Sequence, residues 1–137
     1  MGEKLTKTAE IIEHKGVQVL VDNLSGLKGQ ELADALKAVN TVMRPRAKGK
    51  KDWVAINLFT DCFFDDAAVK ILIQIRSEMR HTFLAIAEVG ASPLQRTSLE
   101  LINTVAKSQV PFRTFDNVEE AKDWVVSVYA EQKNKKS

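Results

Sequence analysis

The stretch Val54-Ala-Ile-Asn-Leu-Phe-Thr-Asp-Cys-Phe-Phe-Asp-Asp-Ala-Ala-Val69 passes from one apolar run into another through Thr60, Asp61, Asp65 and Asp66. An apolar run, a polar turn and a second, longer apolar run read as a buried strand, a loop and a helix. That succession commits the chain to an α/β sheet. In such sheets the carboxyl ends of parallel strands share one edge, where ligands and partners gather. The turn at residues 60–66 is therefore the first place to look for a working surface.

The flanking sequence supplies the rest of the sheet. Residues 7–14 and 17–22 are strand-like, and Lys15-Gly16 between them is short enough to pair them as an antiparallel hairpin. Residues 23–29 form a loop by their glycine content. Leu32, Leu36, Val39 and Met43 recur at three- and four-residue spacing, one apolar face of a helix. Arg44-Pro45 is expected to end that helix, because proline disfavours helical backbone at the residue before it. Residues 69–76 carry two periods: Val69, Ile71, Ile73 and Ile75 alternate, whereas Ala68, Leu72, Ile75 and Met79 fit a helix. The run continues to Arg80 without a breaker, and its length predicts a helix.

Residues 82–89 are the next strand. Ser92-Pro93-Leu94-Gln95 reads as a capping box with proline at the first helical position. The inner face of that helix is expected to hold Leu94, Ser98, Leu101, Ile102 and Val105. Residues 110–115 form the last strand. Asp116-Asn-Val-Glu119 is a second capping box, before a helix that buries Val118, Ala121, Val125 and Val128. The polar tail from Gln132 is expected to fray. The order β-β-α-β-α-β-α-β-α predicts an α/β fold. Its mixed sheet has about five strands, an N-terminal antiparallel hairpin followed by βαβ units, with about four helices. One domain is expected over residues 1–137, with an ordered core at about 6–128.

Composition narrows function by exclusion. Twenty basic against 18 acidic residues leave a net charge of +2, too mild to call for nucleic acid. Cys62 is the only cysteine, so an internal disulfide and a multi-cysteine zinc site are both ruled out. No apolar run approaches the roughly 18 residues that suggest a membrane span. The N-terminus lacks the apolar core of a signal peptide, so a cytoplasmic protein is expected.

His14-Lys-Gly16, Val21-Asp-Asn-Leu-Ser-Gly-Leu-Lys-Gly29 and Phe112-Arg-Thr-Phe-Asp-Asn-Val-Glu-Glu-Ala-Lys-Asp-Trp-Val125 stand in this order along the chain. Together they resemble the STAS domain, the SpoIIAA-like fold of bacterial anti-sigma-factor antagonists, and in particular its STAS/SEC14-like branch. The resemblance spans roughly residues 6 to 128. It implies a regulatory module with a protein partner and leaves a homodimer open. STAS antagonists are phosphorylated on a hydroxyl in an Asp-Ser-Ser/Thr-Gly type motif. The matching stretch here is Phe64-Asp-Asp-Ala-Ala68. Asp65 fits the motif's aspartate, Asp66 and Ala67 occupy the hydroxyl positions, and Ala68 replaces the glycine. The usual phospho-switch is then absent. Asp66 would set a fixed negative charge near a helix N-terminus, and the simplest role for the two carboxylates is capping that helix.

The expected binding edge collects Asp22, Asn23, Thr60, Asp61, Phe63, Phe64, Asp65, Asp66 and Ser92 from three loops. The helix opened by Ser92 has free N–H groups that could hold an anion. Asp22, Asp61, Asp65 and Asp66 offer oxygens of the kind magnesium takes. Receiver domains with a comparable acidic edge also need a lysine after the last strand, where this chain has Phe115-Asp116. No metal or cofactor is expected. Cys62 lies before a helix start, where a thiolate is favoured, but His14 lies in the first hairpin and His81 precedes a strand at the opposite edge; neither is well placed as its base, and an ordinary cysteine is expected. Arg44-Pro-Arg-Ala-Lys-Gly-Lys-Lys51 has no aromatic interleaved for base stacking and reads as a solvated loop. The expectation is a non-catalytic interaction module. The alternative is a small-molecule or lipid carrier with a pocket under the same turn, lined by Phe63, Phe64 and Leu72.

Overall fold

Strands pair in chain order. The computed structural model describes residues 2–47 and 52–135. β1 (Glu3–Lys4), β2 (Ala9–His14) and β3 (Val17–Asn23) form an antiparallel meander, and β3, β4 (Trp53–Leu58), β5 (Phe83–Val89) and β6 (Phe112–Phe115) run parallel. The sheet order is β1-β2-β3-β4-β5-β6. The helices are α1 (Gly29–Ala47), α2 (Asp66–Glu78), α3 (Pro93–Val105) and α4 (Val118–Lys135). The mixed α/β architecture is the expected one, with six strands among the described residues where about five were expected. The extra strand is β1, two residues long and too short to leave a periodic signal.

Alternation along the strands assigns the two faces. Leu20, Ala55 and Ile86 point to one side, where they pack with Val39 and Met43 of α1 and with Met79 just after α2. Val19, Val54, Ile56, Leu84 and Ala87 point to the other, against Ala121, Val125 and Val128 of α4. A third cluster joins α1, α2 and α3 through Leu32, Leu36, Leu72, Leu99 and Ile102, with Phe59 between them. Helices α1 to α3 therefore cover one face of the sheet, and α4 covers the other.

Several boundaries differ from the sequence expectation. α1 continues through Pro45 to Ala47. Proline in the last turn removes a single helical hydrogen bond, and ion pairs from Arg44 to Glu78 (2.7 Å) and from Arg46 to Glu3 (2.5 Å) hold that turn in place. Arg44 and Arg46 are thus paired, while Lys48, Gly49, Lys50 and Lys51 of the basic segment lie outside the described residues. α4 is capped one residue later than expected, by Asn117 Oδ1 accepting from the Glu120 amide at 2.9 Å. The helix reaches Lys135 instead of fraying from Gln132. There, Lys133 pairs with Asp52 and lies over the Tyr129 ring.

The largest correction concerns α3. Its buried positions are Leu99, Ile102 and Asn103, continued by Ala106. Leu94, Leu101 and Val105, expected inside, are 76%, 62% and 62% exposed. α3 carries two apolar stripes, and the sheet takes only one.

The binding edge and a buried polar layer

Backbone hydrogen bonds stitch the three expected loops together at the carboxyl ends of the strands. Leu24 N donates to Leu58 O (3.0 Å), Gly26 N to Thr60 O (2.9 Å), Phe59 N to Val89 O (2.8 Å) and Gly90 N to Phe115 O (3.1 Å). The Gln95 side chain donates to the Cys62 carbonyl, which ties the start of α3 to the turn after β4. Gly90 has φ of 79°, and a Cβ there would collide with Thr60 Oγ1. Only glycine lets these two loops approach so closely.

Most predicted edge residues do local structural work. Asn23 Oδ1 accepts from the Ser25 amide at 3.2 Å, turning the chain out of β3. Thr60 supplies the carbonyl that anchors Gly26. Asp61 is exposed in the left-handed region, at φ 58°. Asp65 is the N-cap of α2, accepting from Ala68 N at 2.9 Å, and Asp66 follows in the first turn. Replacing Asp65 with alanine is expected to cost ~1 kcal/mol, or roughly 3–5 °C of melting temperature, by loss of that cap. An unchanged thermal unfolding curve would mean that the carboxylate is not needed for capping.

Ser92 and Gln95 form the full capping box: Ser92 Oγ accepts from Gln95 N at 3.2 Å, and Gln95 Oε1 accepts from Ser92 N at 2.8 Å. Arg96 N bonds Ser92 O, and Pro93 has no amide hydrogen. The anion site expected at this helix start is therefore largely satisfied from within. Phe64 packs edge-on against buried Phe59, with ring centroids 5.1 Å apart, and Phe83 is core. Phe63 alone turns outward, 60% exposed. Cys62 is buried with its Sγ donating to the Leu24 carbonyl. Burial pushes its thiol pKa up, against the lowering that a helix start would favour.

Asp22 is the edge residue placed differently from expectation. It is 3% exposed. Val21 points to the α4 side of β3, so Asp22 points the other way, beneath α1 and α2. The four acidic residues considered for magnesium are thereby separated. Among the described residues no three His, Cys, Asp or Glu side chains are grouped as metal ligands.

Asp22 belongs instead to a polar row that sequence reasoning missed. Asp22 of β3 is in register with Asn57 of β4, Asn57 with Glu88 of β5, and Glu88 with Thr114 of β6. From above, Arg76 of α2 pairs with Glu88 and donates through Nη1 to Asn103 Oδ1 of α3 at 2.9 Å. Asn57 Nδ2 donates to the other Glu88 oxygen at 3.2 Å. Arg76 and Glu88 are 4% and 0% exposed at the side chain, so this ion pair lies fully inside the protein. Asp22 accepts from Thr8, and its burial raises its carboxyl pKa from 3.8 to about 6. Its Oδ1 has no hydrogen-bond partner, nor does Oδ1 of Asn40 on α1.

Both of these side chains line a cavity of about 70 Å³ between the sheet and helices α1 and α2. Its apolar walls include Leu36, Val39, Met43, Leu72 and Phe83. Neither Phe63 nor Phe64 lines it, so it lies deeper than the pocket expected under the turn.

Comparison with known structures places this architecture. The chain is similar to an uncharacterized DUF3478-family protein with a SpoIIAA-like fold from Shewanella loihica PV-4. The TM-score is 0.66 and the identity 16%, over 85% of this chain and 91% of that one. It is also similar to an anti-sigma-factor antagonist (STAS) domain protein from Planctomyces limnophilus. There the TM-score is 0.56 and the identity 14%, over 86% and 97% of the two chains. No family model matches the sequence, and no curated protein matches it. The chain thus has a SpoIIAA-like fold. No helix among the described residues is long and apolar enough to cross a membrane.

Proposed function

We propose that this protein is a non-catalytic regulatory module of the cytoplasm that binds a protein partner through the carboxyl edge of its sheet. The observation that carries the reading is the exposed apolar surface at that edge. Phe63 projects from the turn, and the Gln95–Cys62 bond brings the start of α3 alongside it. From there Leu94, Leu101 and Val105 continue as an exposed stripe at spacings of seven and four residues. Asp61, Asp65 and Asp66 border Phe63, so the matching partner surface is apolar with lysine or arginine beside it. The antagonist named in the comparison supports an interaction role by likeness of fold. The Phe64-Asp-Asp-Ala-Ala68 turn has no hydroxyl for a phospho-switch, so the docking charge is fixed. The free thiol of Cys62 suits a reducing compartment.

Affinity capture from the native lysate tests this reading. Phe63→Asp and Leu101→Asp, each combined with Asp66→Arg, are expected to reduce recovery of the partner at least about tenfold. Glu13→Lys, on the distant strand β2, is expected to leave recovery unchanged. Equal recovery by the edge variants would remove this surface as the interface.

A further inference from the structure

We propose that the cavity between the sheet and helices α1 and α2 is a binding site for a small primary amine, held as its ammonium form by Asp22 and Asn40. This site is separate from the Thr60–Asp66 edge, and neither proposal depends on the other.

Three observations converge on a cationic hydrogen-bond donor. First, two residues that line the cavity each carry an unmatched buried acceptor, Asp22 Oδ1 and Asn40 Oδ1, and the residues are only 3% and 7% exposed. A buried acceptor left unmade carries a desolvation cost, so its partner has to be a donor. Second, the side-chain nitrogen donors that line the cavity are engaged elsewhere. Arg76 is taken up by Glu88 and Asn103, Asn57 Nδ2 by Glu88, and the Asn40 amide donates to Glu78. Third, the charges do not balance. Arg76 neutralises Glu88, and Asp22 remains as a second carboxylate, hydrogen-bonded by the Thr8 hydroxyl. The α1 side chains at the cavity, Leu36, Val39, Asn40 and Met43, bring no charge. An ammonium group supplies three donors and the missing positive charge together.

The size and walls of the cavity define the rest of the ligand. About 70 Å³ is half the ~150 Å³ of an engineered apolar cavity that holds benzene. A body of a few carbon atoms therefore fits, packed on Val39, Met43 and Phe83, with its head toward Asp22. Long acyl chains and anionic heads do not suit a space of this volume and charge. Water is the competing occupant, since it also donates, but it leaves the Asp22 charge unpaired.

Titration of ¹⁵N-labelled protein at pH 7.5, followed by amide chemical shifts, separates these outcomes. Propylammonium is the probe, with 1-propanol and propionate as comparators of the same length. Saturable shifts centred on Asn40, Met43 and Asn57 are expected with propylammonium. Its dissociation constant should be at least about tenfold below that of 1-propanol, and propionate should give no saturable shifts. Asp22→Asn is expected to weaken propylammonium at least about tenfold, and Asn40→Ala to weaken it by a smaller factor while still folding. Absence of saturable shifts with propylammonium would mean a water-filled cavity and overturn the proposal. So would equal affinity for 1-propanol, or unchanged propylammonium affinity in both variants.

Discussion

Replacing Glu88 with leucine is expected to cost the fold about 3–5 kcal/mol, a fall of roughly 10–20 °C in melting temperature. The pair with Arg76 lies wholly inside the protein, so truncating one partner strands the other. In Glu88→Leu a guanidinium remains buried with only Asn103 to accept from it, and Asn57 loses its acceptor as well. Arg76→Met is expected to cost a similar amount by stranding the carboxylate. The Arg76→Met/Glu88→Leu double variant should recover at least about 2 kcal/mol relative to the sum of the single losses, because removing both charges removes the uncompensated one. Chemical denaturation of the four proteins closes the cycle. Simple additivity would show that the two groups do not act as a pair.

Replacing Asp22 with asparagine should have the opposite sign, and its size should depend on pH. Burial raises the Asp22 carboxyl from 3.8 to about 6, so the folded protein holds a proton that the unfolded chain releases. Stability from this group is fully present below pH 3.8 and is lost as pH rises through 6. The difference corresponds to up to ~3 kcal/mol at neutral pH. Asparagine keeps the shape and the reach to Thr8 but carries no charge. Asp22→Asn is therefore expected to melt up to roughly 10 °C higher than the wild type at pH 7.5 and within a degree or two of it at pH 4. Melting curves collected across pH 4–8 test this directly. An equal difference at both ends would assign the effect to packing instead of ionisation.

These two side chains also show how far the sequence could be read. Asn57 and Glu88 interrupt strands that are otherwise apolar, and Arg76 sits in an apolar stretch of helix. A charge in such a run needs a partner, and that signal was present. Which residue partners which depends on strand register and on where α2 lies over the sheet, and neither is a local property. Asp22 was legible as a residue at a strand end. Its burial follows from α1 and α2 overhanging the end of β3. The helix at residues 69–76 was recoverable because uninterrupted length outweighed a competing alternation. α3 was assigned the wrong inner face for a comparable reason. Residues 94, 98, 101 and 105 satisfy helical spacing as well as residues 99, 102 and 106 do, and only docking selects between them. The edge loops were located correctly because βαβ topology brings them together regardless of side-chain detail.

The division of labour among the helices has a consequence for synthesis. Each strand from β2 onward adds beside the one made just before it, so the sheet can lengthen by accretion as the chain leaves the ribosome. One of its two surfaces is roofed progressively by α1, α2 and α3 along the way. The opposite surface, with Val19, Val54, Ile56 and Leu84, stays bare until the final helix arrives, because α4 is its sole cover among the described residues. α4 is thus the closing panel of the nascent protein. A chain halted before residue 118 would present a broad sticky plane to chaperones and to its own neighbours.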